Sequence, residues 1–168
     1  MATLRELAKL DMAKWQNFNI WRGRLPHWRA DDVRYYATFR HKRELTDPER
    51  TVLYIKLMRA QRRKFDYLIL CVLPEKTEMC FTVNPGPDGE PYELSDVLEK
   101  AKRQAGAAII KRSGERWPPF SGESYDRIIR DEAEFADTWD KILASPVDAE
   151  LCEDPAEWDT LFVPDAPE

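Results

Sequence analysis

Glycine is scarce in this chain: six in 168 residues, none of them clustered behind an apolar run. A backbone that cradles phosphate needs grouped glycines at a strand-to-helix turn, so the dinucleotide-binding and P-loop readings are excluded. A Gly-x-Ser-x-Gly nucleophile elbow is missing too. Histidine occurs twice, as His27 and His41, and neither has a second ligand at metal spacing. The three cysteines, Cys71, Cys80 and Cys152, are odd in number and far apart, with no Cys-x-x-Cys among them. That argues against a structural zinc site and a disulfide framework, and fits buried thiols in a reducing compartment. Long apolar runs are absent as well. The longest, Tyr67–Leu73, falls far below the ~20 residues of a membrane helix. Leu4–Leu10 is interrupted by Arg5, Glu6 and Lys9, so it does not read as a signal sequence. A cytoplasmic protein without membrane attachment is expected.

What the chain does have is segregated charge. Residues 1–64 hold 16 Lys/Arg against 7 Asp/Glu, a net of +9. Residues 65–130 are nearly balanced at −2, and residues 131–168 hold 13 acids against Lys141 alone, a net of −12. The overall net of −5 conceals this division. Basic surfaces attract phosphate backbones, and acidic ones repel or imitate them.

At 43% hydrophobic content the chain can build one core. Thr3-Leu4-Arg5-Glu6 reads as a capping box that opens a helix over about 3–17. Val33, Tyr35, Ala37 and Phe39 alternate with polar neighbours as in a half-buried strand. Residues 50–60 carry two signals: Asp47-Pro48-Glu49 resembles a helix start, while Thr51-Val52-Leu53-Tyr54-Ile55 is β-branched and aromatic. The second signal favours a strand at about 51–58. Phe65–Leu73 and Glu78–Val83 read as buried strands joined by a turn, followed by a Pro/Gly loop over 84–91. Ser95 is a candidate cap for a helix reaching about Ala105, and Ile109-Ile110 reads as a short strand. A long helix is expected from Glu123 to Leu143, and Asp154-Pro155-Ala156-Glu157 opens a last short turn. The fold class that follows is α/β (or α+β): a central mixed sheet of about four or five strands with an N-terminal helix and a long C-terminal helix. One globular domain is expected over 1–144. The acidic, Pro-containing segment 145–168 would pack on it or remain partly flexible.

The order of strands, with Arg63-Lys64-Phe65-Asp66-Tyr67-Leu68-Ile69-Leu70-Cys71-Val72-Leu73-Pro74 followed by Met79-Cys80-Phe81-Thr82-Val83, resembles the core of PD-(D/E)xK nuclease-like domains. The segment Phe135–Leu143 resembles their closing helix. The resemblance covers roughly residues 3–143. It implies a Mg²⁺ held by an Asp at a strand bend and an acid on the next strand, with a Lys two residues beyond that acid. Projected on this chain, Asp31 or Asp32 is the first acid and the metal ligand, Lys56 the lysine, and Glu6 an accessory acid. Tyr54 stands where the second acid belongs, and a phenol is a poor ligand for a hard cation. A second placement uses Asp66 with Glu78, but puts Cys80 at the lysine position. The motif is incomplete either way, so a nuclease-like fold used for binding is favoured over an active Mg²⁺-dependent nuclease.

Candidate DNA or RNA contacts lie in the basic block: Arg22, Arg24, Arg29, Arg40, Lys42, Arg43, Arg59, Arg62, Arg63 and Lys64. Trp15, Trp21 and Trp28 interleave with some of these arginines, as base-stacking residues or as core. The acids Glu132, Glu134, Asp137 and Asp140 support an alternative from a different class. That alternative is a non-enzymatic protein, a DNA-mimicking inhibitor or assembly subunit, that binds a basic protein partner.

Overall fold

The computed structural model describes residues 33–120 and 122–165, together with the backbone of 19–22 and 26–29. Short strands β1 (Asn19–Arg22) and β2 (Pro26–Arg29) pair antiparallel. The body of the molecule is a five-stranded sheet of β3 (Arg34–Arg40), β4 (Phe65–Val72), β5 (Lys76–Val83), β6 (Tyr125–Ile129) and β7 (Leu161–Phe162). Their order is β6-β3-β5-β4-β7, and every pairing is antiparallel. Helices α1 (Asp47–Met58) and α2 (Leu94–Ser113) cover one face, and α3 (Glu132–Asp148) covers the other. This is an α/β fold on five strands with a long C-terminal helix, its sheet antiparallel where a mixed one was expected. The expected N-terminal helix lies outside the described residues.

Side-chain alternation explains how one sheet feeds two cores. Tyr35, Ala37 and Phe39 of β3, with Met79 and Phe81 of β5, face Leu53 and Leu57 of α1 and Leu94, Leu98, Ala105 and Ile109 of α2. Phe65 and Phe81 stack at 4.2 Å between ring centroids in the middle of this layer. On the opposite face Ile69, Cys71, Cys80 and Ile129 meet Ile142, Phe135, Trp139 and Leu143 of α3.

Three local expectations give way. Residues 47–58 form a helix, not a strand at 51–58. Thr46 and Glu49 make a capping box, with Pro48 in the first turn. Arg50, Leu53 and Leu57 then fall on one buried stripe at helical spacing. That burial outweighs the β-branched run, whose Thr51 and Ile55 point to solvent. α2 extends to Ser113 and ends on Gly114 at φ 74°, so Ile109-Ile110 are helical. The segment predicted as a helix from Glu123 divides into β6 and α3, because Asp131 caps the Glu134 amide at 2.8 Å and starts the helix there.

The C-terminal segment is tied to the sheet. Trp158 Nε1 and Thr160 Oγ1 both donate to the Val72 carbonyl, at 3.0 and 2.7 Å. Buried Arg50 donates to Thr160 Oγ1 at 2.6 Å and lies 4.0 Å above the Trp158 ring. No helix among the described residues is long and apolar enough to cross a membrane.

Candidate nucleic-acid interface

The turn between α1 and β4 concentrates the basic residues singled out in the sequence. Its backbone is held in one shape. The Ala60 carbonyl accepts from the amides of Arg63, Lys64 and Phe65 at 3.1, 2.9 and 3.0 Å. Arg62 adopts φ 61°, and its amide donates to the Phe65 carbonyl at 2.7 Å. A non-glycine residue in this left-handed region is uncommon, so a neighbourhood of bonds is needed to hold it there. Gln61 Oε1 locks the far side by accepting from the Tyr67 amide at 2.7 Å. Arg59, Arg62 and Arg63 are exposed on this turn, and Lys64 sits 5.3 Å from the Tyr92 ring centre.

Behind the turn, α1 and α2 leave a cleft of about 180 Å³. Lys56, Arg59, Arg63, Lys64 and Lys100 line it along with Gln104, and no acidic side chain does. Lys56 is therefore on a helix beside other cations, not on a strand two residues past an acid. The period-2 argument that made it a catalytic lysine no longer applies. Asp31, Asp32, Glu6 and Arg24 lie outside the described residues, while Arg22 and Arg29 fall on β1 and β2.

The other nominated cations divide. Arg40 and Lys42 are exposed at the end of β3. Arg43 is committed internally: it pairs with Glu49 at 2.7 Å and with Glu115. The Arg43 hydrogen bond, against some desolvation, holds the Glu49 carboxyl down at about 2. Two of the nominated acids are likewise engaged, Glu132 with Arg34 and Glu134 with Arg127 and Arg130. Asp137 and Asp140 are exposed.

A cavity of about 590 Å³ opens between the β4–β5 turn and the C-terminal half of α3. Glu44, Glu75, Glu78 and Asp148 line it with Lys76 and Lys141, a balance that repels a bare phosphate. Glu78 is satisfied there by Lys76 Nζ at 2.9 Å and by the Tyr36 hydroxyl at 3.2 Å. Burial, and then Glu78, push that phenol far above its ordinary range. His41, close by, has both nitrogens occupied: Nδ1 lies 2.7 Å from the Pro74 carbonyl and Nε2 3.0 Å from Thr77 Oγ1. A carbonyl only accepts, so Nδ1 carries the proton. Burial lowers the pKa of the ring, against the bond to the Pro74 carbonyl.

Magnesium was expected only alongside catalysis. Among the described residues no three His, Cys, Asp or Glu side chains come together as a metal site requires. Asp66 pairs in register with Thr82 and Glu78 with Cys71, so the second proposed acid pair sits far apart along the β4–β5 ladder. Cys80, its lysine position, is buried. The Asp66/Glu78 placement therefore brings no pair of carboxylates together.

Sequence reasoning missed Lys100. Nothing in the sequence singled it out, and the packing of α1 against α2 brings it to the basic turn.

No family model matches the chain, and no curated protein matches it either. A solved structure does: a REP-associated tyrosine transposase bound to a REP hairpin. The TM-score is 0.59 at 18% identity, covering 78% of this chain and 76% of that one. At that identity the likeness establishes a shared fold.

Proposed function

We propose that this protein associates with nucleic acid through the basic surface around the α1–β4 turn. The observation that carries the reading is the cluster of Lys56, Arg59, Arg63, Lys64 and Lys100 around a cleft with no acid in its lining. The fold adds support, since it is shared with a transposase whose structure was solved bound to a REP hairpin. Arginine forks and lysine ammonium groups suit phosphate oxygens. The reading is one of binding on a nuclease-like, DNA-processing fold. Lys56 stands on α1 among other cations and Asp66 and Glu78 lie apart on the β4–β5 ladder, which supports binding without cleavage.

The test is binding of labelled duplex, hairpin and single-stranded DNA between 50 and 200 mM salt, with and without Mg²⁺, while watching for cleavage. We expect binding whose log affinity falls linearly with log salt, because counterions are released from the backbone. DNA left intact in Mg²⁺ is the second expected result. Absence of binding at the lowest salt contradicts the reading. Mg²⁺-dependent cleavage abolished by Asp32→Ala contradicts its non-catalytic part.

A further inference from the structure

The geometry points to the cleft between α1 and α2 as a site for one backbone phosphate of nucleic acid, with Lys56, Arg59, Arg63, Lys64 and Lys100 as its ligands. The inference rests on the nucleic-acid reading above and assigns it a contact point. Three chain segments converge there: the end of α1, the α1–β4 turn, and the first half of α2. Lys56 thereby changes from a candidate in catalysis to a phosphate ligand, and Lys100 joins the interface.

Ion pairing among the described residues engages Arg34, Arg43, Arg50, Lys76, Lys102, Arg127 and Arg130. None of the five cleft cations is among them. Five like charges around about 180 Å³ repel one another, and an anion between them relieves that repulsion. Helix electrostatics explains only part of the arrangement. The C-terminal dipole of α1 favours a cation at Lys56 and Arg59, but its reach ends within the last turn. It does not account for Lys100, which belongs to another helix.

The neighbouring cleft at the other end of the α1–α2 pair is a useful contrast. It carries Arg43 and Arg112, but Glu49 and Glu115 stand beside them. Compensation by carboxylates is thus built into one end of the helix pair and absent from the lining of the other. The bonds on the Ala60 carbonyl, and Gln61 on the Tyr67 amide, fix the turn that presents Arg63 and Lys64. Little backbone ordering cost therefore falls on binding. Arg62, exposed on the same turn, extends the positive rim beyond the cleft, as suits a chain of phosphates better than a lone ion.

The experiment compares three full-length proteins: wild type, Arg63→Gln/Lys100→Gln, and the charge-matched control Lys111→Gln/Arg116→Gln. The four substituted side chains are exposed, and a melting curve for each protein checks folding. The probe is a labelled 20-base-pair duplex with its single strand, over 50 to 200 mM NaCl. Each lost phosphate contact lowers the slope of log affinity against log salt by ~1. Arg63 and Lys100 hold the same phosphate, so the cleft variant should lose about 1 in slope and roughly tenfold in affinity. The control should remain within about twofold of wild type. Equal losses in both variants mean a diffuse field and overturn the site, as does a cleft variant that binds like wild type. In both cases the broader nucleic-acid reading survives. A wild type that binds no nucleic acid overturns both. If inorganic phosphate at millimolar concentration then raises the melting temperature of the wild type but not of the cleft variant, the cleft takes a small phosphate instead of a backbone.

Discussion

Tyr67 and Leu70 face the same helices although three positions separate them, because β4 carries a bulge. Before it, Phe65 and Tyr67 point toward α1 and α2; after it, Leu70 and Val72 do. Register against β5 jumps from Tyr67–Phe81 to Ile69–Cys80, which leaves Leu68 over. The Leu68 carbonyl is not left unmet, since the Trp139 indole donates to it at 2.9 Å. An apolar run such as Phe65–Leu73 announces a buried strand but hides this change of face, because every residue in it is apolar apart from Asp66. Cys71 and Cys80 both end up under α3, and burial pushes each thiol up to about 12. Cys152 is only half-buried. Titration with a thiol reagent at neutral pH should modify one cysteine in the native protein and the other two only after unfolding. Two or three thiols reacting natively would contradict the packing of α3 on the sheet.

At the scale of elements, the packing of α1 against α2 decides the candidate site. Gly106 stands in the middle of α2, where a Cβ would come 2.8 Å from Pro118 Cβ. In an exposed helix Gly→Ala gains ~1 kcal/mol of helix propensity. Here the added methyl meets a ring that cannot swing aside. Gly106→Ala should therefore lower stability, by about 1–3 kcal/mol as for other overpacked cores. A melting temperature equal to or above wild type would show that the Trp117–Phe120 segment does not press on α2. Much at this level was legible in the sequence. Alternation marked β3, the apolar runs marked β4 and β5, and proline with glycine marked the loop over 84–91. Two signals misled. The β-branched run of 51–55 suggested a strand because its burial stripe, Arg50, Leu53 and Leu57, includes an arginine that looks like surface. The helix expected from Glu123 merged the apolar residues of β6 with those of α3, and Asp131, the cap between them, looks like any other acid. The candidate site was legible only in part. Arg59, Arg63 and Lys64 were visible as a basic run, but Lys100 joins them through a helix pairing that no local pattern encodes.

For the molecule as a whole, the charge division of the sequence partly cancels in space. Glu132 from the acidic end pairs with Arg34 from the basic end, and Asp159 meets Arg50 at 3.1 Å. Folding thus neutralises some of both blocks and leaves the turn after α1 as a concentrated basic surface within the described residues. The acidic cavity beside α3 lies apart from that surface, with no residue shared between their linings. The most direct test of the account is amide hydrogen exchange of the full chain, with and without a saturating DNA hairpin. The account predicts that the hairpin slows exchange in residues 59–64 and 97–104, and leaves α3 unchanged. Protection confined to α3 and the β4–β5 turn, with none at 59–64, would contradict it and move the interface to the opposite face of the sheet.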